Sequence, residues 1–268
     1  MSETQKYMTP MLPKGSLEGK VAIVTGGGTG LGKAMATEFA RLGSDVVIAS
    51  RRIELLEKVA KEISQFGTKV IPYALDIRDS EKVLEMMDFV EKEFNRLDIL
   101  VNNAAGNFIV DSLKMSENAW KAVIDIVLNG TWHCTQKAAR IMEKQETGGS
   151  ILNIGTTYAE TGGPRTVHSA AAKAGVLGMT KSLASEWGKY NIRLNVLSPG
   201  PILETGAVDA LFPNEEKQER MLKGIPLGRF GDTQEIANLA SYLVSDYASF
   251  VTGSTFVIDA GRVLSKGI

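Results

Sequence analysis

Seven short apolar, β-branched runs punctuate the chain: VAIVT at 21–25, DVVIAS at 45–50, VIPYALD at 70–76, ILVNNA at 99–104, SILNIG at 150–155, RLNVLSP at 193–199 and TFVID at 255–259. Near-continuous apolar character over so few residues predicts strands covered on both faces. Between the runs, apolar residues return at helical spacing, as in Leu55, Val59 and Ile63, or Val83, Met86, Met87 and Val90. Strands alternating with amphipathic helices predict an α/β fold: a single doubly wound parallel sheet of about seven strands with helices on both faces. Gly43, Gly67 and Gly188 stand where helical patterns end, and each predicts a left-handed cap. Residues 1–16 read as an N-terminal arm, 17–268 as one domain, and 203–231, mixing Pro, Gly and short helical pieces, as a lid.

Composition narrows the function. A net charge of -1, with acids and bases interspersed among 268 residues, creates no field for gathering nucleic acid or anionic membrane. The apolar runs are far below the roughly 20 residues of a membrane span, and the start MSETQKYMTPMLPKG has no apolar signal core. A cytoplasmic location is therefore expected, and the final Ser-Lys-Gly-Ile is not a peroxisomal signal. Cys134 is the single cysteine, and with only His133 and His168 no metal site is expected.

Chemistry enters directly after the first run. Thr25-Gly26-Gly27-Gly28-Thr29-Gly30-Leu31-Gly32 leads into a helical pattern beginning at Lys33. Strand, glycine-rich turn and helix N-terminus form a Rossmann-type anion site, in which bare backbone N–H groups and the helix dipole face a pyrophosphate. Five of the 27 glycines crowd into it. The end of the second strand selects the dinucleotide. Where an NAD site has an acid for the ribose 2′-hydroxyl, this chain has Ser50-Arg51-Arg52, and Arg51 suits a 2′-phosphate, so NADP(H) is expected. Asp76, closing the third strand, is expected to accept from the adenine amino group.

TGGGTGLG, Asn102-Asn103-Ala104-Ala105-Gly106, Lys173 within SAAAKAGV, and Pro199-Gly200-Pro201-Ile202 together resemble the short-chain dehydrogenase/reductase family over almost the whole chain. The resemblance implies that Asn103, Lys173, Pro199, Gly200 and Ile202 join the cofactor loop in holding NADP(H). The family's usual proton-transfer set is altered here. Ser169 stands at the tyrosine position four before Lys173, Thr156 at the serine position, and Val127 at the asparagine position in DIVLNGT. A second set, Asn107-Phe108, Tyr158-Ala159-Glu160-Thr161-Gly162 and Ser169 through Lys173, with MLPxxSxxGKVA and LAxEWGKY, is similar to the mitochondrial-type 2,4-dienoyl-CoA reductase branch over about residues 8–262.

That branch implies a reason for the moved tyrosine. Hydride added at the distal carbon of a conjugated 2,4-dienoyl thioester drives charge to the thioester oxygen, several bonds away, so the donors must be aimed there; one such donor is worth roughly 3 to 4 kcal/mol. By resemblance Tyr158 and Asn107 are those donors, Lys173 holds the nicotinamide ribose, and Ser169 bonds in the same network. For substrate, Arg51 and Arg78 are implied at coenzyme A phosphates, and Phe108 and Ser116 beside the thioester arm. The branch carries a further lid arginine where this chain has Ala210, and the order of Glu204 and Thr205 also departs from it. The implied activity is NADPH-dependent reduction of 2,4-dienoyl-CoA to 3-enoyl-CoA in β-oxidation of polyunsaturated fatty acids, by a cytoplasmic homotetramer. Its rivals are another short-chain carbonyl or 2-enoyl thioester reductase, such as a 3-oxoacyl reductase, and a silent NADP-binding sensor.

Overall fold

The computed structural model describes residues 11–203 and 215–265. Seven strands, β1 (Val21–Thr25), β2 (Asp45–Ser50), β3 (Val70–Ala74), β4 (Ile99–Asn102), β5 (Gly149–Ile154), β6 (Ile192–Pro199) and β7 (Thr255–Ile258), form one sheet in the order β3-β2-β1-β4-β5-β6-β7. All six pairings are parallel. Among the described residues, no helix is long and apolar enough to cross a membrane.

Alternation along each strand feeds two cores. Ala22 and Val24 of β1, with Val46 and Ile48 of β2, pack with Met35, Phe39, Leu56 and Ile236. These come from helices α1 (Gly30–Arg41), α2 (Ile53–Ile63) and, by Ile236, a later helix Thr233–Val244. Val21 and Ile23, pointing to the other face, pack with Val83, Met86, Cys134, Met142 and Leu183. That layer is α3 (Ser80–Phe94), α5 (Gly130–Glu143) and α7 (Val167–Trp187), while α4 (Glu117–Ile124) precedes α5 and the short α6 (Tyr158–Thr161) precedes α7. Pro72 lies in β3, which is an edge strand, where a missing N–H leaves no ladder position empty.

Two of the three predicted caps hold. Gly43 (φ +103°) and Gly67 (φ +86°) are left-handed, whereas Gly188 is right-handed at φ -55°. There the helix tightens into a 3₁₀ turn, Gly188–Tyr190, and Asn191 takes the left-handed position at φ 57°. Asn tolerates that conformation, so the stop falls three residues later than the glycine suggested. A second departure is a π-turn, Asp125–Asn129, inserted between α4 and α5.

Directly after residues 1–16, the Leu17 N–H donates to the Leu42 carbonyl at 3.0 Å and the Leu17 side chain is fully buried. The lid is pinned at its neck. Leu203 N–H donates to the Gly231 carbonyl at 3.0 Å, and Gly231 N–H to the Pro201 carbonyl at 3.0 Å. Within it lies α8 (Glu215–Leu222), and just after it α9 (Thr233–Val244) begins, its start held by a capping box of Asp232 and Glu235. Glu204, Thr205 and Ala210 lie outside the described residues.

Candidate active site

Chain order reverses at β1 and β4, and a parallel sheet opens a crevice at the C-terminal ends of such strands. The two strand ends are stitched together there. Thr25 Oγ1 accepts from the backbone N–H groups of Asn103 and Ala104, both at 3.0 Å, and donates to the Val101 carbonyl at 3.2 Å. Asn103 Nδ2 donates to the carbonyls of Thr25 at 3.0 Å and Gly26 at 3.3 Å. Below the stitch, Asn102 Nδ2 donates to Thr135 Oγ1 and Asn153 Oδ1, each at 2.8 Å, and Asn153 Nδ2 to Thr180 Oγ1 at 2.9 Å. These bonds tie β4 and β5 to α5 and α7.

Above it lies a cleft of about 770 Å³. Its walls include Gly26, Gly28, Thr29, Gly30 and Leu31 on one side, and Tyr158, Ser169, Lys173, Pro199, Gly200 and Ile202 on another. Asn103, Asn107, Phe108, Arg51 and Asp76 also line it. Gly32 does not; a Cβ there would stand 2.2 Å from the Gly26 carbonyl oxygen and 2.6 Å from Asn103 Nδ2, so its part is to let α1 close onto the loop. At the other end of the cleft, a Cβ on Gly200 would come within 2.6 Å of the Asp259 Cα. Bare backbone at Gly26, Gly28 and Gly30 of the loop lines the cleft beside the start of α1, the kind of backbone that can hold a pyrophosphate.

Arg51 makes no hydrogen bond or ion pair with any described residue, and the acid that feels its charge is Asp76 on the neighbouring strand end. Asp76 is paired. Arg78 Nε donates to Asp76 Oδ1 at 3.0 Å and Arg78 Nη2 to Oδ2 at 2.5 Å, holding the carboxyl below the usual carboxylate range and hence an acceptor. That pair holds the Arg78 guanidinium against Asp76, and Arg78 itself is not among the cleft-lining residues. Ser116 is also absent from the wall, because its Oγ accepts from Ala119 N–H at 3.2 Å as the N-cap of α4. Of the residues expected as substrate contacts, Arg51 and Phe108 line the cleft, while Arg78 and Ser116 do not.

Tyr158 opens α6 directly beyond β5, and its ring packs over Gly163, where a Cβ would lie 3.1 Å from the ring's Cγ. The Asn107 loop is tied to this segment twice. Val110 N–H donates to the carbonyl of Arg165 at 3.0 Å, and the Phe108 ring meets the His168 ring edge-on with centroids 4.6 Å apart. Arg165 reaches that position with φ 65°, an uncommon backbone for a residue with a Cβ. His168 is fully buried, and burial lowers its pKa, so the imidazole is a neutral support at neutral pH. Asn107 Oδ1 accepts from its neighbour Phe108's N–H at 2.9 Å, which leaves the Nδ2 donors directed at no described residue.

Lys173 is 7% exposed, and its Nζ donates to the Ile154 carbonyl at the end of β5. Burial pushes its pKa from 10.5 down to about 8. Ser169, one turn before Lys173, lines the same cleft, and its backbone N–H donates to His168 Nδ1 at 2.8 Å. Thr156 and Val127 both line the cleft, and the π-turn presents Ile126 and Val127 side by side there. The chemistry available is that of a buried cation, amide donors and a phenol around a cleft with a phosphate cradle. Residue-level reading missed Gly163, Arg165, His168 and, beyond α8, Arg262, which also lines the cleft; none of them belongs to a motif with a chemical signature.

A family model described as enoyl-(acyl carrier protein) reductase matches residues 26–262. The chain belongs to the short-chain dehydrogenase/reductase family. Family members are oxidoreductases that use NAD(P), and this protein is one of those oxidoreductases. It is 48% identical to a probable 2,4-dienoyl-CoA reductase, (2E)-enoyl-CoA-producing, of Bacillus subtilis, over 93% of this chain and 98% of that protein. It is 47% identical to a probable 2,4-dienoyl-CoA reductase 3, (3E)-enoyl-CoA-producing, of Caenorhabditis elegans, over 95% of this chain and 84% of that one. A 3-oxoacyl-[acyl-carrier-protein] reductase of Thermotoga maritima is 39% identical over 92% and 99%. Among solved structures, a short chain dehydrogenase from Bacillus anthracis superposes with a TM-score of 0.84 at 44% identity, covering 92% of this chain and 97% of that one. A structure described as a putative gluconate 5-dehydrogenase from Beutenbergia cavernae, with bound NADP, has a TM-score of 0.89 at 30% identity, covering 94% and 100%.

Proposed function

We propose that this oxidoreductase reduces 2,4-dienoyl-CoA with NADPH, in β-oxidation of polyunsaturated acyl chains. One observation carries the reading. Tyr158, Asn107 and Lys173 line a single cleft, while the three positions of the family's usual proton-transfer set hold Ser169, Thr156 and Val127. A carbonyl reductase needs its phenol beside the reacting carbon, whereas a dienoyl thioester needs donors at an oxygen several bonds away.

When bound, the reduced nicotinamide supplies the hydride. The loop Gly26–Gly32 would cradle the pyrophosphate and Arg51 would pair with the 2′-phosphate, which favours NADPH over NADH. Asp76 would accept from the adenine amino group. Lys173, held by the Ile154 carbonyl, would turn its remaining N–H groups to the ribose hydroxyls, and Ser169 would contribute from the preceding turn. Asn107 Nδ2 and the Tyr158 hydroxyl would donate to the thioester oxygen, with Phe108 beside the pantetheine arm. Protonation at Cα gives a 3-enoyl product and protonation at Cγ a 2-enoyl product; the names of the two dienoyl reductase relatives divide on this point. We assign Cα, with Tyr158 or a water as donor. The polar start favours a cytoplasmic site for the reaction, and the resemblance supports a homotetramer.

The Thermotoga relative keeps a 3-oxoacyl reductase as the second reading. Serine at 169 disfavours it, since no phenol stands four residues before Lys173. NADPH oxidation measured with 2,4-hexadienoyl-CoA, 2-hexenoyl-CoA and a 3-ketoacyl-CoA separates the two. The dienoyl substrate should be strongly preferred, and preference for the ketoacyl substrate would overturn the proposal.

A further inference from the structure

Arg262 follows β7, outside every motif read from the sequence, and its guanidinium lines the cleft on the flank of the sheet opposite Arg51. Its backbone is fixed. Asp259 Oδ1 accepts from Gly261 N–H at 2.9 Å and Oδ2 from Val263 N–H at 2.7 Å, while Arg262 N–H donates to the Asp259 carbonyl at 3.0 Å. Gly261, at φ +81°, supplies the turn that aims the side chain inward.

The side chain is also held. Nε donates to the Met221 sulfur of α8 at 3.4 Å, Nη1 reaches Ser265 Oγ at 3.5 Å, and a Cβ on Gly224 would lie 3.2 Å from the guanidinium carbon. A thioether and a distant hydroxyl are poor acceptors for a group with five N–H donors. Among the described residues Arg262 has no carboxylate partner, and the single acid lining the cleft, Asp76, is already paired with Arg78. A partly buried, packed guanidinium without an anion is a site awaiting one, and its planar fork matches the oxygens of a phosphate.

We propose that Arg262 anchors a phosphate of the coenzyme A moiety at the lid side of the cleft. This rests on the dienoyl-CoA reading above and adds to it the residue that recognises the substrate's charge. It also accounts for how the chain can bind that charge with Ala210 at the position where the resemblance implies a lid arginine, and with Arg78 drawn onto Asp76. The thioester oxygen is served by Asn107 and Tyr158, so the remaining anionic groups of the substrate are the phosphates.

Arg262→Gln, which keeps the packing against Met221 and Gly224, and Arg262→Ala test it. Calorimetric titration of free coenzyme A into NADP⁺-loaded protein should show at least a tenfold loss of affinity in both variants, with NADPH affinity unchanged. In turnover, KM for 2,4-hexadienoyl-CoA should rise at least tenfold with kcat within twofold, while 2,4-hexadienoyl-pantetheine, which lacks phosphates, should be reduced with equal kcat/KM by wild type and variants. Unchanged coenzyme A affinity, equal losses on both thioesters, or weakened NADPH binding would each overturn the assignment. If wild type binds coenzyme A through Arg262 but does not reduce the dienoyl substrate, the functional reading fails and this inference stands.

Discussion

Lys173 carries its charge at a cost. Its Nζ is buried and bonded to a carbonyl rather than a carboxylate, so desolvation lowers its pKa to about 8. Between pH 8 and 10.5 the unfolded chain holds a proton that the folded chain has shed, and stability of the cofactor-free protein therefore gains as pH rises through that window. The penalty at neutral pH is at most about 3 kcal/mol. Lys173→Met should raise the melting temperature of the cofactor-free protein at pH 7, and the difference from wild type should shrink on going to pH 9.5. A pH-independent difference in thermal scans would contradict the depressed pKa. Tyr158 is tested through turnover. Tyr158→Phe should lower kcat at least tenfold, consistent with losing one oxyanion donor, with NADPH affinity by fluorescence titration unchanged; undiminished kcat would place the donor elsewhere. Both residues were legible in the sequence, because their spacing from Ser169 is specific. Arg165 and His168 were not. Their work, a carbonyl offered to Val110 and an edge-on ring against Phe108, joins segments more than 50 residues apart and leaves no local pattern.

At the scale of elements, the strand runs and most helix limits follow from the chain's own periodicity. Differences arise where two elements compete for the same residues. Residues 75–76 and 103–104, apolar or amide-rich continuations of strand patterns, leave the sheet because the crevice needs them as walls and stitches. The π-turn at Asp125–Asn129 has no sequence signature; it is where α4 and α5 meet the cleft, a common setting for such turns. The glycine loop, by contrast, was fully legible, and its packing turns it into a quantitative expectation. Gly32→Ala would drive a methyl group into the Gly26 carbonyl and the Asn103 amide, so NADPH affinity should fall at least tenfold and stability by about 1–3 kcal/mol. Retained affinity with retained stability would mean that α1 does not close on the loop as described.

For the molecule as a whole, the cleft lies at the C-terminal ends of the strands, with Phe108 and Ile109 exposed at its wall, and other exposed apolar side chains lie away from it. Trp120 and Trp132 stand exposed on α4 and α5, and Tyr247, Phe250, Val257 and Leu264 on the β7 flank. Two separate apolar faces suit a closed assembly with two kinds of two-fold contact, the arrangement of the homotetramer that the resemblance implies. Sedimentation should give four times the 28.9 kDa chain, and Phe250→Asp with Val257→Asp should reduce it to a dimer without unfolding. A monomer at micromolar concentration would refute this. By itself the sequence determined the strands, the alternation with helices and the glycine-rich loop, and it singled out Arg51, Tyr158 and Lys173, all of which line the cleft, because each is written in neighbouring residues or fixed spacing. Only the tertiary structure decided that Val110 meets the Arg165 carbonyl, that Phe108 lies against His168, and that Arg262 comes to the cleft. Those outcomes depend on which groups the fold brings within hydrogen-bonding reach, and no local periodicity encodes such distances.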